Sequence, residues 1–543
     1  MSSLLFLFLL SPEPAVAPGV EVSVLGQRQV AATVACPAHV RMPIEHPAEA
    51  QPVPPSDDRG QILWQYYDSV AIPRNVSMTP DGAYIWVFQE LNSQRLQSFG
   101  RDSNVPLWEF PLNAYSSPSG VVDSWSGASG TFLAAGMYDG AGHDTLYVFE
   151  PESSEPVWTK GFSPAMGART MQLSGDGTRL IVAAYRSTEP EADLFFSFNP
   201  STGESLWAYA IPESGQVYGM DVSYDGDIIL AVTRYNTYVF EGGALRWSMQ
   251  NPNQSCCGAM SSDGRIICRG DYHGRLYTYS WNGTTYQQKW SYYIVPTAGY
   301  YNWVGSADIS GDGETIVIGS LEWIAGGYDG RVAMFDSSSG TPLWEHTGCG
   351  DFVETVVITP DGRLAIAGSW GDIPNTVDDL LVFERESGTP AFTYGSPGSI
   401  FSVDVTDDGG YGAAGAKSVH ARQWGQGGYV YAVETGFAPV PLVLTGSIVN
   451  GELRLEWTPY AGADAFWVYG AGNQAYFEAG MAPGYQHRLA VLSPLFRWWT
   501  TSTGVGDPSV NWSYLVMAVD AAAQTLATSN RVGELDFAAS PGQ

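Results

Sequence analysis

The residues best placed by type and spacing to do chemistry are the adjacent cysteines of Ser255-Cys256-Cys257-Gly258. Two thiols side by side make a candidate redox pair, because they can close on each other or face one ligand together. A third thiol, Cys268, lies across a hairpin that turns at Ser262-Asp263. A tight turn there sets positions summing to 525 opposite one another and pairs Cys257 with Cys268. That reading leaves two structural roles open, packing of small apolar side chains in crowded strands or a cross-strand disulfide. The five cysteines (Cys36, Cys256, Cys257, Cys268, Cys349) are too few and too scattered for a disulfide framework. No C-x-x-C pair occurs and none clusters with the seven histidines, so no zinc site is expected.

Aspartates invite a second chemistry. Asp308-Ile309-Ser310-Gly311-Asp312-Gly313 and Asp404-Val405-Thr406-Asp407-Asp408-Gly409 resemble pieces of calcium loops, yet neither has the acidic spacing of an EF-hand. The same Ser/Thr-x-Asp-Gly turn recurs along the chain, with its glycine at 82, 177, 226, 264, 313, 362 and 409 and a degenerate copy at Ser129-Gly130. Recurrence at a fixed period points to hairpin geometry rather than metal, and no metal ligand set is expected. Seven residues before each turn aspartate stand Arg74, Val122, Arg169, Tyr218, Cys256, Gly305, Glu354 and Phe401. Loops at that same end carry Tyr138, Tyr185, Tyr235, Tyr272, Trp323 and Trp370. Arg74, Arg169, Tyr218, Cys256, Cys257, Tyr272, Trp323, Glu354 and Trp370 are therefore the candidate ligand-binding residues. Aromatics beside arginine and glutamate suit a sugar or a peptide. No nucleophile elbow, phosphate loop or metalloprotease histidine pair is present, and no catalytic residue is assigned.

These residues need a frame, and the repeat supplies it. The turn glycines are spaced 48, 47, 49, 38, 49, 49 and 47 residues apart when position 130 is included. Trp64, Trp108, Trp158, Trp207, Trp247, Trp290 and Trp344 keep the same beat, opening each repeat, with Phe392 in the eighth place. Each unit reads as an extended run after the tryptophan, an apolar strand such as Thr355-Val356-Val357-Ile358, the Asp-Gly turn, and two more apolar strands. Four short strands per repeat make one blade of a β-propeller. The expected fold is all-β: a propeller over 62–436 of eight blades, or seven if outer repeats combine, followed by a β-sandwich over 442–537.

Two segments carry a family resemblance. Phe198-Asn199-Pro200-Ser201-Thr202-Gly203-Glu204-Ser205-Leu206-Trp207 and Phe335-Asp336-Ser337-Ser338-Ser339-Gly340-Thr341-Pro342-Leu343-Trp344 resemble the tryptophan-docking repeat of quinoprotein (PQQ-type) propellers. The resemblance implies that the seven tryptophans above lock one blade to the next. Quinoprotein dehydrogenases also place a vicinal disulfide against their PQQ ring, so the rival expectation is a PQQ- and calcium-dependent oxidoreductase using Cys256-Cys257. Here the pair falls in the fifth repeat rather than near the start, the blades lack long insertions, and the calcium ligands and catalytic aspartate match no motif. Non-enzymatic propellers share these repeats, and the favoured expectation is a binding or scaffolding protein without cofactor. Beyond Pro439-Val440-Pro441, Glu452–Trp457, Ala465–Tyr469 and Trp512–Asp520 alternate like strands. With Ser529-Asn530-Arg531-Val532, they resemble a fibronectin type III domain.

Composition narrows the partners. A net charge of −31, with only three lysines, repels a phosphate backbone and excludes nucleic acid. Residues 4–10 are an unbroken apolar run and Ala15-Val16-Ala17 offers a small-residue cleavage pattern, so 1–17 reads as a signal peptide with a truncated start. Residues 18–60, rich in Pro and Ala, read as a solvated leader. No apolar stretch is long enough to span a bilayer. The expectation is a bacterial protein that is secreted, periplasmic or on the cell surface, with an extracellular protein or glycan as partner.

Overall fold

The computed structural model describes residues 59–437 except 92, 113–118, 128–129, 139–144, 163–165, 187–193 and 211–216. C-terminal to these it describes 442, 444–449, 452–457, 460, 463, 465–472, 488–492, 498–502, 512–519, 525–529 and 532–533. The readings of 1–17 as a signal peptide and of 18–58 as a leader, and Cys36 with them, lie outside the described residues. The chain divides into two compact units between Phe437 and Ala438.

Among the described residues the first unit consists of antiparallel sheets, each with a path of four strands and one with a short fifth strand beside it, and it is a β-propeller. Eight such sheets follow one another, and their first strands are Ile72–Met78, Ser119–Gly127, Met166–Leu173, Val217–Val222, Ser255–Met260, Trp303–Ile309, Val353–Ile358 and Ile400–Val405. Each of these strands neighbours the first strand of the next sheet, and Ile400–Val405 neighbours Ile72–Met78, so the ring is closed. We number the sheets 1 to 8 in that order. Inner strands are apolar on both faces because both pack on a neighbour: Val353–Ile358 and Leu364–Ser369 are buried throughout.

The docking tryptophans end sheets rather than begin them. Trp108, Trp158, Trp207, Trp247, Trp290 and Trp344 lie on the fourth, outermost strand of their sheets. Trp64 belongs to the last sheet: Gln61–Asp68 pairs antiparallel with Gly428–Glu434, so the N-terminal strand completes sheet 8. Sequence order alone made these residues look like openings, since each precedes the inner strand of the following repeat. Five of these seven indole N–H groups reach across the seams. Trp108 donates to Pro151 O (2.7 Å), Trp158 to Pro200 O (2.6 Å), Trp290 to Ser337 O (2.8 Å), Trp344 to Arg385 O (2.8 Å), and Trp64 to Arg101 O. At Gly203 (φ 71°) a Cβ would stand 2.7 Å from the Trp158 ring, so glycine is needed for both conformation and contact.

The Asp-Gly turns are wider than a two-residue hairpin. In sheet 5, Ser261 N donates to Ile266 O (2.9 Å) and Gly264 N to Ser261 O (2.8 Å), which encloses four residues. This shifts the register, so Cys257 pairs with Gly270 and Cys268 with Ala259, and the expected facing of Cys257 and Cys268 is corrected. Cys256, Cys257, Cys268 and Cys349 are free thiols and buried.

The second unit holds two antiparallel sheets. One orders Leu444–Val449, Glu452–Trp457 and Trp498–Thr501; the other centres on Ala465–Gly472 and Trp512–Val519. Leu453, Leu455 and Trp457 from the first share one core with Phe466, Val468, Tyr514 and Val516 from the second.

Candidate functional site

One backbone feature governs where the candidate residues point. In seven of the eight sheets the pairing of the first strand slips by one residue near its start. The skipped residues are Arg74, Arg169, Tyr218, Cys256, Gly305, Glu354 and Phe401. Sheet 2 is regular there, with Val122 opposite Ala135. A β-bulge breaks the strict alternation of side chains and re-aims the extra residue. These bulges lie at the loop-bearing mouth, away from the Asp-Gly turns.

Cys256 and Cys257 illustrate the effect. Cys256 joins a cluster at the mouth with Tyr272, Phe352 and Trp370, while Cys257 joins the core between sheets 5 and 6 with Cys268 and Val304. Both sulfurs lie at hydrogen-bond distance from Val304 O (3.0 and 3.3 Å), and neither side chain is exposed. Burial pushes the Cys256 thiol well above its ordinary range, with Cys257 adding to the shift. A quinone ring laid against a vicinal pair needs an open sulfur face, and this packing leaves none. Among the described residues no group of three His, Cys, Asp or Glu side chains is arranged to hold a metal ion. The two buried sulfurs, as packed, offer no face for a quinone ring. Cα–Cβ crowding adds to this, since a Cβ on Gly270 would meet the Cys257 sulfur at 2.6 Å.

From sheet 5 to sheet 1 the mouth is filled by a continuous arch of rings and guanidinium groups. Tyr272 meets Trp303 edge-on at 5.2 Å, Trp303 meets Trp323 at 4.9 Å, and Trp323 meets Tyr328 at 6.0 Å. Arg422, from the 418–427 connection of sheet 8, lies 3.7 Å over Tyr328 and 5.3 Å from Trp370. Trp370 meets Phe401 at 6.3 Å, and Arg74 lies 4.1 Å over Phe401. Arg422 is fixed by a two-pronged pair with Asp351 (2.7 and 2.9 Å). His420 beside it receives the Arg422 N–H at Nδ1 (3.2 Å) and faces Gly371 O with Nε2 (3.3 Å), so its proton sits on Nε2. Burial holds its pKa below the usual imidazole value.

Arg74 and Glu354 join directly, Nη2 to Oε1 at 3.0 Å, although they come from sheets 1 and 7. The pair passes over Phe401 of sheet 8 and so clasps the two sheets that flank the closing one. Trp370 donates to the other Glu354 oxygen at 2.5 Å. Thus Arg74, Cys256, Tyr272, Trp323, Glu354 and Trp370 come together in one arch. Tyr218 lies in sheet 4 with Arg234 5.7 Å from its ring, and both act electrostatically on Tyr272. Arg169 occupies the bulge of sheet 3, and its side chain, like those of Tyr138 and Tyr185, lies outside those described. Cys257 is turned away from the mouth.

Sequence reasoning missed Glu90, Arg234, Asp351, His420 and Arg422. Eight residues after the turn glycine the chain carries Glu90, Arg234, Tyr272, Trp370 and Lys417, so Glu90 and Arg234 share a position with two residues that were chosen. Asp351, His420 and Arg422 sit in connections of unequal length and keep no repeat position.

The loop tips above the arch carry exposed apolar side chains, interspersed with acidic residues such as Asp372 and Asp378. Tyr235, Val295, Tyr301, Ile324, Ile373 and Trp424 are exposed, Trp424 by 54% and Ile373 by 56%. On the opposite face the turn aspartates are engaged locally: Asp263 Oδ1 accepts Ser261 Oγ (2.7 Å) and Arg265 N (2.8 Å).

Residues 196–436 match a family model, PQQ_2, described as outer membrane protein assembly factor BamB. The match runs from the third strand of sheet 3 to the end of the first unit, and therefore includes most of the arch. No curated protein matches the chain. No helix among the described residues is long and apolar enough to cross a membrane.

Proposed function

We propose that this protein is an exported, non-enzymatic binding or scaffolding propeller of eight blades that holds a protein partner on its loop-bearing mouth. A fibronectin type III-like sandwich would follow as a spacer or adhesive module. The observation that carries this reading is the set of exposed apolar side chains on the loop tips, Tyr301, Ile324, Ile373 and Trp424. Exposed Trp, Tyr and Ile side chains grouped on one face mark the core of a protein interface. Exposed aliphatics are wasted on a sugar, which favours a protein ligand over a glycan. Similarity to a family described as an outer membrane protein assembly factor supports a protein partner and an exported location.

The reading is tested by titrating purified protein with PQQ and calcium, followed by a dye-linked alcohol oxidation assay. No saturable binding and no turnover are expected. Stoichiometric binding with turnover, lost in Cys256→Ser, would make the protein an oxidoreductase. A glycan array run alongside is expected to be blank, and a glycan whose binding is lost in Trp424→Ala would replace the protein partner.

A further inference from the structure

Arg74 is shared unequally between two carboxylates. Its Nη2 is 3.0 Å from Glu354 Oε1, whereas its Nε is 3.9 Å from Glu90 Oε2, too far for a hydrogen bond. Glu90 Oε1 is buried and has no hydrogen-bond partner among the described residues. All three side chains are more than nine-tenths buried. One guanidinium cannot neutralise two anions, and an unsolvated carboxylate with a bare oxygen is among the costliest groups a fold can hold. The neighbouring cations are committed elsewhere. Arg95, on the strand beside Glu90, is paired with Asp68 and Glu109, and the Lys417 ammonium of sheet 8 donates to Gln423 O. Gln89 next in the chain donates to Gln97 (2.7 Å). No cation of more than atomic size can reach so enclosed an oxygen, but a proton can.

We propose that Glu90 is a proton-binding site: the Glu90–Arg74–Glu354 cluster holds one proton in the folded protein, carried by Glu90, after exposed glutamates have released theirs. Arg74 is then free to pair with Glu354 alone and to clasp sheet 1 to sheet 7. Burial and the Glu354 charge act on Glu90 in the same direction, with Arg74 opposing. On deprotonation the Glu90 anion competes for Arg74 and draws it from Glu354, loosening the Trp370–Glu354–Arg74 chain that seats the arch. The mouth would thus be tightest below the release pH and looser above it.

The full chain, labelled with 13C at the glutamate carboxyls, is titrated by NMR from about pH 4 to about pH 9. The result expected is one resonance whose midpoint lies at least about one pH unit above the ordinary glutamate value of about 4.3. It should be missing in Glu90→Gln. In Glu354→Gln the same resonance should move down, because Arg74 is released to Glu90; this second variant also keeps the test alive if Glu90→Gln folds poorly. An elevated resonance that survives Glu90→Gln, or a Glu90 midpoint in the ordinary range, would overturn the proposal. So would a Glu90 midpoint indifferent to Glu354→Gln.

Discussion

Asp379 makes the energetics of a single buried group explicit. Its side chain has no exposed surface, Oδ1 accepts Ser396 N (2.7 Å), and Oδ2 has no hydrogen-bond partner among the described residues. Burial raises its pKa well above the usual carboxyl range, with Asp378 and Asp372 adding to the shift. The folded state therefore binds this proton more tightly than the unfolded chain. The stability it confers is complete below the unfolded value near pH 4 and is lost as pH rises toward the folded value. Asp379→Asn keeps the acceptor for Ser396 without the charge. It is expected to match the native protein in acid and to exceed it by roughly 1–3 kcal/mol at neutral pH, measured by urea unfolding at both pH values. The sign reverses for the clasp. Arg74→Met strands the buried Glu354 carboxylate and should cost roughly 3–5 kcal/mol at neutral pH, with part of the loss recovered in acid as Glu354 protonates. An equal loss at both pH values would contradict the charge account.

At the scale of the element, the seams between sheets follow two rules, one legible in the sequence and one not. Tryptophan at a recurring phase was legible, because a large side chain every 40 to 54 residues has no other periodic use. Removing the Trp290 ring by Trp290→Ala should cost about 3–5 kcal/mol, and Trp290→Phe should recover most of it, losing mainly the bond to Ser337 O. The midpoint of urea unfolding checks both, at constant slope. The second rule is an alternation. Asp123, Asp221, Asp308 and Asp404, in the even-numbered sheets, each accept a backbone N–H from the next sheet. Their donors are Leu173 (2.6 Å), Met260 (2.8 Å), Ile358 (3.0 Å) and Met78 (2.9 Å). Asp221→Ala leaves the Met260 N–H buried without that acceptor and should cost about 1–3 kcal/mol. The aspartates were visible in the sequence, but what they bind lies in another repeat. The bulges were illegible for a related reason: a one-residue slip changes no residue type and shows only in the pairing. Cys257 and Cys268 were set opposite each other because the turn was taken as tight, and two extra enclosed residues moved them apart.

At the scale of the molecule, closure depends on the strand Gln61–Asp68, which completes sheet 8 from the far end of the first unit. A chain beginning at residue 70 is expected to lose the single cooperative transition of the first unit and to unfold over a broader range of urea. Composition speaks at this scale too: a net charge of −31 disfavours a phosphate backbone as partner, and the structure adds exposed apolar side chains at the loop tips. Identity of the partner was never in the sequence, since connections that keep no repeat position build that surface. Photo-crosslinking side chains placed at 424, 373 and, as control, 225 in the Asp-Gly turn face test the central claim most directly. The account predicts the same discrete protein adduct from 424 and 373, none from 225, and at least about tenfold weaker binding of that purified protein to Trp424→Glu. Adducts from 225 alone, or a purified partner indifferent to Trp424→Glu, would contradict it.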